Sequence, residues 1–257
     1  MLLSLSALRV TRLQSLAAGA RSLGVVEPLG RLSERARRSD RWSDRVRALP
    51  LAWRLADRLP LGTDAEAAFG RLDRQPAAAV GDLTLDVAAT ADAEAMAALI
   101  ASAPYDGRIR QLRDRVYLAW RYRNPLHAYR FVRARRGAAV VGYLVLQRGL
   151  STYANRRRVN VADWEAPDPA VLRAMLRFAL EAGALPEVVT WGATLDSGQR
   201  QALAANGFGA VDREQTERGL PCVLLVDVTQ DQGLRPQYER LASLAHWDLR
   251  MAYTSLA

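Results

Sequence analysis

Asp163 and Glu165 stand two residues apart at the end of the run Arg158–Glu165, whose alternation with Val159 and Val161 predicts a β-strand. On an unbroken strand Val159, Val161, Asp163 and Glu165 share one face, so two carboxylates sit together at its end. A carboxylate placed there can take a proton from an attacking amine or hydroxyl if burial raises its pKa. The alternative is a polar strand end that meets solvent or caps the next turn. A second cluster, Trp120-Arg121-Tyr122-Arg123 with Tyr129 beyond it, offers aromatic and guanidinium faces that could stack on a sugar or base, or simply seal a helix end. His246-Trp247-Asp248 brings an imidazole and a carboxylate into one tripeptide, although residues two apart on a helix diverge.

Composition removes other chemistries. All 36 basic residues are Arg, so neither a Schiff-base Lys nor a tunable Lys base is available. The lone Cys222 excludes an intramolecular disulfide and a Cys-based metal knuckle, and lies in an apolar run where it reads as a small hydrophobe. With His127 and His246 the only imidazoles, no His-rich metal site can form, and no metal is expected.

The elements that must position these groups can be read from periodicity and caps. Leu83–Thr90 reads as a strand. Asp92 caps a helix to about Ser102, and a second helix is expected from Arg108 to Arg121, stopped by Asn124-Pro125. Tyr129–Ala134 and Ala139–Leu146 read as a hairpin around Gly137. Asp168 and Pro169 open a helix that runs to Gly183. Glu187–Gly192 is the next strand, followed by a helix from Ser197 to Asn206. Gly207 ends that helix and Phe208 folds back on it. Gly209–Glu214 and Val223–Val228 are expected to close one sheet with Arg158–Glu165 at its centre. Residues 1–80 read as a basic helical segment or linker, 81–228 as the main domain, and 229–257 as a tail packing on it. Leu5, Leu8, Leu13 and Leu16 suggest an amphipathic helix at the start, a segment that also has the Arg-rich, acid-free look of a transit peptide.

The order of these elements over residues 81–228, closed by Asn206-Gly207-Phe208, resembles the acyl-CoA N-acyltransferase (GNAT) superfamily. Trp120-Arg121-Tyr122, Asn124-Pro125, Tyr129 and Val141-Gly142-Tyr143 look like the second domain of tandem GNAT-like proteins found with bacterial polysaccharide biosynthesis. The resemblance implies an α+β fold, a GNAT-like mixed β-sheet flanked by helices, preceded here by the helical segment. It also implies an acyl-CoA-dependent N- or O-acyltransferase using acetyl-CoA or another acyl-CoA as co-substrate. The acceptor would be a small sugar or amino-acid-derived molecule that attacks the thioester directly. In that scheme Asp163 or Glu165 is the base, Arg173, Arg157 and Trp164 attend the coenzyme, and Trp120, Tyr122 and Tyr129 line the acceptor groove.

Two departures point the other way. Where the superfamily carries a Gln/Arg-x-x-Gly-x-Gly/Ala loop for the pyrophosphate, this chain has Glu165-Ala166-Pro167-Asp168-Pro169, with two residues lacking an N–H and one added negative charge. The helix Ser197–Asn206 also lacks the Tyr that often serves as general acid. The alternative expectation is therefore a degenerate, non-catalytic GNAT-fold accessory or interaction protein.

The net charge of +9 is uneven, because residues 1–60 hold 12 Arg against 5 acids. That arm could meet an anionic membrane surface or an acidic protein, or could be a solvated helical surface. The remaining residues, at +2, argue against nucleic acid. No apolar run reaches the roughly 18 residues a membrane span needs. A cytoplasmic protein is expected, with peripheral membrane attachment through the arm.

Overall fold

A computed structural model describes residues 3–6, 21–25, 28–32, 65–148, 158–185, 187–210, 222–225 and 238–251. In chain order the elements are β1 (Leu3–Ser6), β2 (Arg21–Val25), β3 (Pro28–Leu32), α1 (Ala65–Asp73), β4 (Ala78–Val80) and β5 (Leu83–Ala88). Then come α2 (Ala93–Ser102), β6 (Ile109–Arg110), α3 (Arg115–Arg121), β7 (Ala128–Arg136), β8 (Ala139–Arg148) and β9 (Arg158–Glu165). The chain continues with α4 (Pro169–Gly183), β10 (Glu187–Trp191), α5 (Ser197–Ala205), β11 (Gly209–Ala210), β12 (Cys222–Leu225), α6 (Tyr238–Leu241) and β13 (Trp247–Asp248).

Eight strands form one mixed sheet in the order β11-β3-β10-β9-β8-β7-β5-β4. Every neighbour is antiparallel except β9 and β10, which run parallel because α4 crosses between them. The result is an α+β fold whose large mixed sheet is flanked by helices. Alternation along the central strands sorts the core into two layers. Leu144, Leu146, Val159 and Val188 face back, against α1, α4 and α5. Tyr143, Val145 and Phe131 face forward, where Met96, Leu99 and Leu118 of α2 and α3 cover them. Further along the front, Val189 and Trp191 of β10 pack with Trp247, Leu249 and Met251 of the C-terminal segment.

Local signals fix several boundaries. Asp92 accepts from the Ala95 N–H at 3.0 Å, and Asp196 with Gln199 forms a reciprocal capping box on α5. Gly207 has φ +79°, and the N–H groups of Gly207 and Phe208 donate to Ala204 and Leu203 O. That closes α5 in the two-bond motif which favours Gly, with Phe208 buried as its apolar contact.

The fold departs from the sequence expectations in four places. The segment expected to be helical over 1–80 contains β1, β2, β3 and β4, and its described helix is α1. Strand β3 inserts between β10 and β11 in the main sheet and β4 adds to its other edge, so the single sheet expected over 83–228 recruits two strands from outside that range. β12 leaves the main sheet and pairs with β1 and β2 instead. The helix expected from Arg108 starts only at Arg115, capped by Asp114; Ile109 and Arg110 are extended and pair in parallel with Trp247 and Asp248. Each departure follows from strand pairing between distant residues, which local propensity does not encode.

Candidate functional site: a buried ion cluster where two parallel strands part

Strand β9 carries a bulge. Val145 pairs with Asp163 and Leu146 with Val161, so Ala162 is the extra residue. The bulge shifts the alternation by one. Val159 and Val161 stay in the back core, whereas Ala162 turns to the front. The carboxylates of Asp163 and Glu165 lie together as expected, but on the face opposite Val159 and Val161.

Arg113, from the extended stretch before α3, binds both acids. Its Nη1 donates to Asp163 Oδ1 at 2.8 Å and its Nη2 to Glu165 Oε2 at 2.6 Å. Asp163 accepts three further bonds: from the Trp164 N–H at 2.9 Å, from Tyr143 Oη at 3.1 Å and from Tyr122 Oη at 3.2 Å. Burial, followed by the Asp163 charge, pushes the Tyr122 hydroxyl well above its ordinary pKa, so it remains a donor. Burial likewise pushes Tyr117 up to about 12. Both oxygens of Asp163 are thus engaged by donors that do not dissociate near neutrality. Among the described residues no group donates to Glu165 Oε1, which leaves Glu165 as the carboxylate with accepting capacity to spare.

The parallel pairing of β9 with β10 ends early. Arg158, Val159 and Asn160 pair with Glu187, Val188 and Val189, and Thr190 Oγ1 then donates to Val161 O at 3.0 Å. Beyond that point no ladder joins the strands among the described residues, and the C-terminal segment spans the gap. The Leu249 N–H donates to Thr194 Oγ1 at 2.9 Å on the β10 side, and the Arg250 guanidinium stacks 4.1 Å over the Trp164 ring on the β9 side. Residues 247–251 are all buried. Arg250 also pairs with Asp248 at 2.8 Å. Burial pushes the Asp248 carboxyl up, but Arg250, then Arg113 and Arg108, outweigh it and hold it below its ordinary value. Two buried ion systems, one from β9 and one from the tail, therefore meet at the gap.

The turn after β9 leads into α4. Asp168 Oδ1 accepts from the Ala170 N–H at 2.8 Å, Asp168 O accepts from Val171 and Leu172, and Pro169 has no N–H. The first-turn amides that could meet a phosphate are all engaged by Asp168. The start of α5 also crowds this turn, since a Cβ on Gly198 would stand 2.7 Å from Pro169 Cγ.

The other residues singled out in the sequence are scattered. Tyr122 and Tyr129 meet edge to face, ring centres 5.2 Å apart. Trp120 points outward from α3 and touches Tyr117. Trp164 sits in the back core under Arg250. Arg173 lines a groove of about 750 Å³ that runs from the start of α4 at Asp168 and Ala170 to the β4–β5 hairpin, with Arg136, Arg177 and Asp82. Arg157 lies outside the described residues. His246 and Asp248 form no pair with each other: His246 Nδ1 lies 3.0 Å from Arg240 O, and Asp248 holds Arg250. Sequence reasoning missed Arg113 and Arg250. A buried acid pair calls for a cation, but nothing local distinguishes the right one among 36 Arg.

Neither a scan against protein-family models nor a search of curated proteins finds a match. Among the described residues no helix is long and apolar enough to cross a membrane, and no cluster of three or more His, Cys, Asp or Glu could hold a metal.

Proposed function

We propose that the chain is a GNAT-like domain serving as a non-catalytic accessory or interaction module, working in the cytoplasm or at its membrane surface. The observation that carries this reading is the gap between β9 and β10, along the strand whose backbone amides the resemblance would aim at a thioester carbonyl. Residues 247–251 span it, with Leu249 bonded to Thr194 and Arg250 stacked on Trp164. The engaged amides at the start of α4 and the saturated Asp163 support the same reading. An ion cluster in which Asp163 is fully bonded and both acids share one guanidinium stabilises one geometry and leaves only Glu165 Oε1 for a substrate to use. Calorimetric titration of acetyl-CoA into the full chain tests it: no saturable heat is expected, and micromolar binding would overturn it.

One observation favours a second reading, acyl transfer from an acyl-CoA to a small sugar or amino-acid-derived acceptor. Glu165 Oε1 has spare accepting capacity, and Arg113 holds that carboxylate in place. In this reading Glu165 takes the proton from the acceptor amine or hydroxyl as it attacks the thioester. Tyr122 and Tyr129 flank the acceptor, and Asp163 acts only as a positioning residue. Release of free coenzyme A thiol in the presence of candidate acceptors, lost in Glu165→Gln, would select this reading.

A further inference from the structure

The groove between α4 and the β4–β5 hairpin, about 750 Å³, falls within the roughly 300–1,000 Å³ that houses small-molecule ligands. α4 borders it from Ala170 to Ala182, about 18 Å of helix at 1.5 Å per residue. Its walls are apolar, with Val171, Ala174 and Phe178 on the α4 side and Val80 and Leu83 on the hairpin. Val80 is 42% exposed there, a large apolar side chain left open on a strand of three residues. The rim is charged. Arg136 pairs with Asp82 at 2.5 Å and Arg177 with Glu181 at 3.4 Å, while Asp168 is engaged in capping α4. Arg173 lies one turn before Arg177 and is exposed, and no acid or carbonyl among the described residues bonds its guanidinium. The lining therefore holds three acids and three guanidinium groups, of which one cation is uncommitted.

We propose that this groove binds an amphipathic carboxylate, with the anionic head on Arg173 and the apolar body along Val171, Ala174 and Phe178 beneath Val80. The head is a single charge because the lining is balanced: a monoanion matches the one free guanidinium, whereas a phosphate dianion would also meet Asp82 and Asp168. The planar fork of Arg173 suits a carboxylate, which accepts two parallel N–H bonds. Arg136 and Arg177 carry further N–H donors beyond those given to their acids. At the α4 start Asn206 fixes the wall, since its Nδ2 donates to Arg173 O at 3.2 Å and Ala202 O at 2.9 Å. The apolar body gains by covering wall side chains that water otherwise reaches, Val80 above all. Recognition here uses side chains; the first-turn amides of α4, which a coenzyme pyrophosphate would need, stay with Asp168. The site does not depend on whether the gap between β9 and β10 admits an acyl-CoA.

The test is calorimetric titration of the full chain with dodecanoate, kept below its micelle-forming concentration, and with uncharged dodecanol. Saturable binding of dodecanoate at one site is expected, with dodecanol at least about tenfold weaker for want of the charged contact. Arg173→Gln should weaken dodecanoate by about tenfold and leave dodecanol unchanged, whereas Val80→Asp should weaken both. Both substituted side chains are exposed, and circular dichroism checks that the fold is kept. Absence of dodecanoate binding to the wild type would overturn the proposal, as would equal binding by Arg173→Gln or equal affinity for dodecanoate and dodecanol. Displacement of dodecanoate by acetyl-CoA would overturn it too, because the groove would then hold the coenzyme.

Discussion

Arg113 and Asp163 form an ion pair of 2.8 Å in which neither side chain is more than 1% exposed. The pair joins the segment before α3 to the bulged end of β9, and the second arm of the guanidinium carries Glu165. The cost of burying two carboxylates this deep is offset by the guanidinium they share, and at Asp163 by three further donors. Arg113→Met should therefore cost about 3–5 kcal/mol, because it leaves both acids uncompensated. Asp163→Asn should cost less, since the amide keeps part of the bonding. Urea unfolding of the two variants checks this, and a loss below 1 kcal/mol for Arg113→Met would show that the cluster is solvated.

Gln147 is fully buried on β8, opposite Tyr129, and neither its amide nitrogen nor its oxygen has a hydrogen-bond partner among the described residues. Burying an unsatisfied amide is unfavourable, so a thioether of similar shape should be better tolerated. Gln147→Met is expected to raise stability by about 1–2 kcal/mol. A clear loss in thermal unfolding would mean that the amide is bonded in solution.

What the sequence made legible, and what it hid, divides along the range of the interactions. Asp168-Pro169 and Gly207-Phe208 marked helix ends correctly because caps act within four residues. The i, i+2 relation of Asp163 and Glu165 also survived. The bulge at Ala162 did not show, since one extra residue leaves the run looking like a continuous strand while reversing the face on which the acids lie. Arg113 was hidden inside an expected helix. Its extended backbone follows the pairing of Ile109–Arg110 with Trp247–Asp248, more than a hundred residues away. The insertion of β3 beside β10 has the same character: its partner, not its composition, decides its place.

Gly207 gives a sharper local test. At φ +79° any L side chain is strained, and a Cβ there would also come within 3.4 Å of Arg31 Nε. Gly207→Ala should cost about 1–2 kcal/mol, whereas Gly209→Ala, with nothing within 4 Å of its Cβ position, should change little. Equal melting temperatures for the two variants would contradict the left-handed cap.

The pH dependence of stability has a definite sign. Burial, then the charge of Arg121, lowers the pKa of His127 below its ordinary 6.5, so the folded state prefers the neutral ring. A depressed pKa contributes stability that is present above the unfolded value and is lost as pH falls from 6.5 toward the folded value. Asp248, also depressed, adds a second loss of the same sign below its ordinary 3.8. Melting temperature should therefore begin to fall below about pH 6.5, and His127→Phe should remove that first step only. A step that persists in the variant would assign it to another group.

The closed gap between β9 and β10 can be probed at the segment that closes it. Hydrogen exchange followed by mass spectrometry over residues 245–252 reports whether the Leu249 amide is held by Thr194 and shielded from water. Strong protection, unchanged by excess acetyl-CoA, is the expected result. Rapid exchange in the free protein, or a marked change in protection when acetyl-CoA is added, would contradict a permanently filled gap and return the site to acyl transfer.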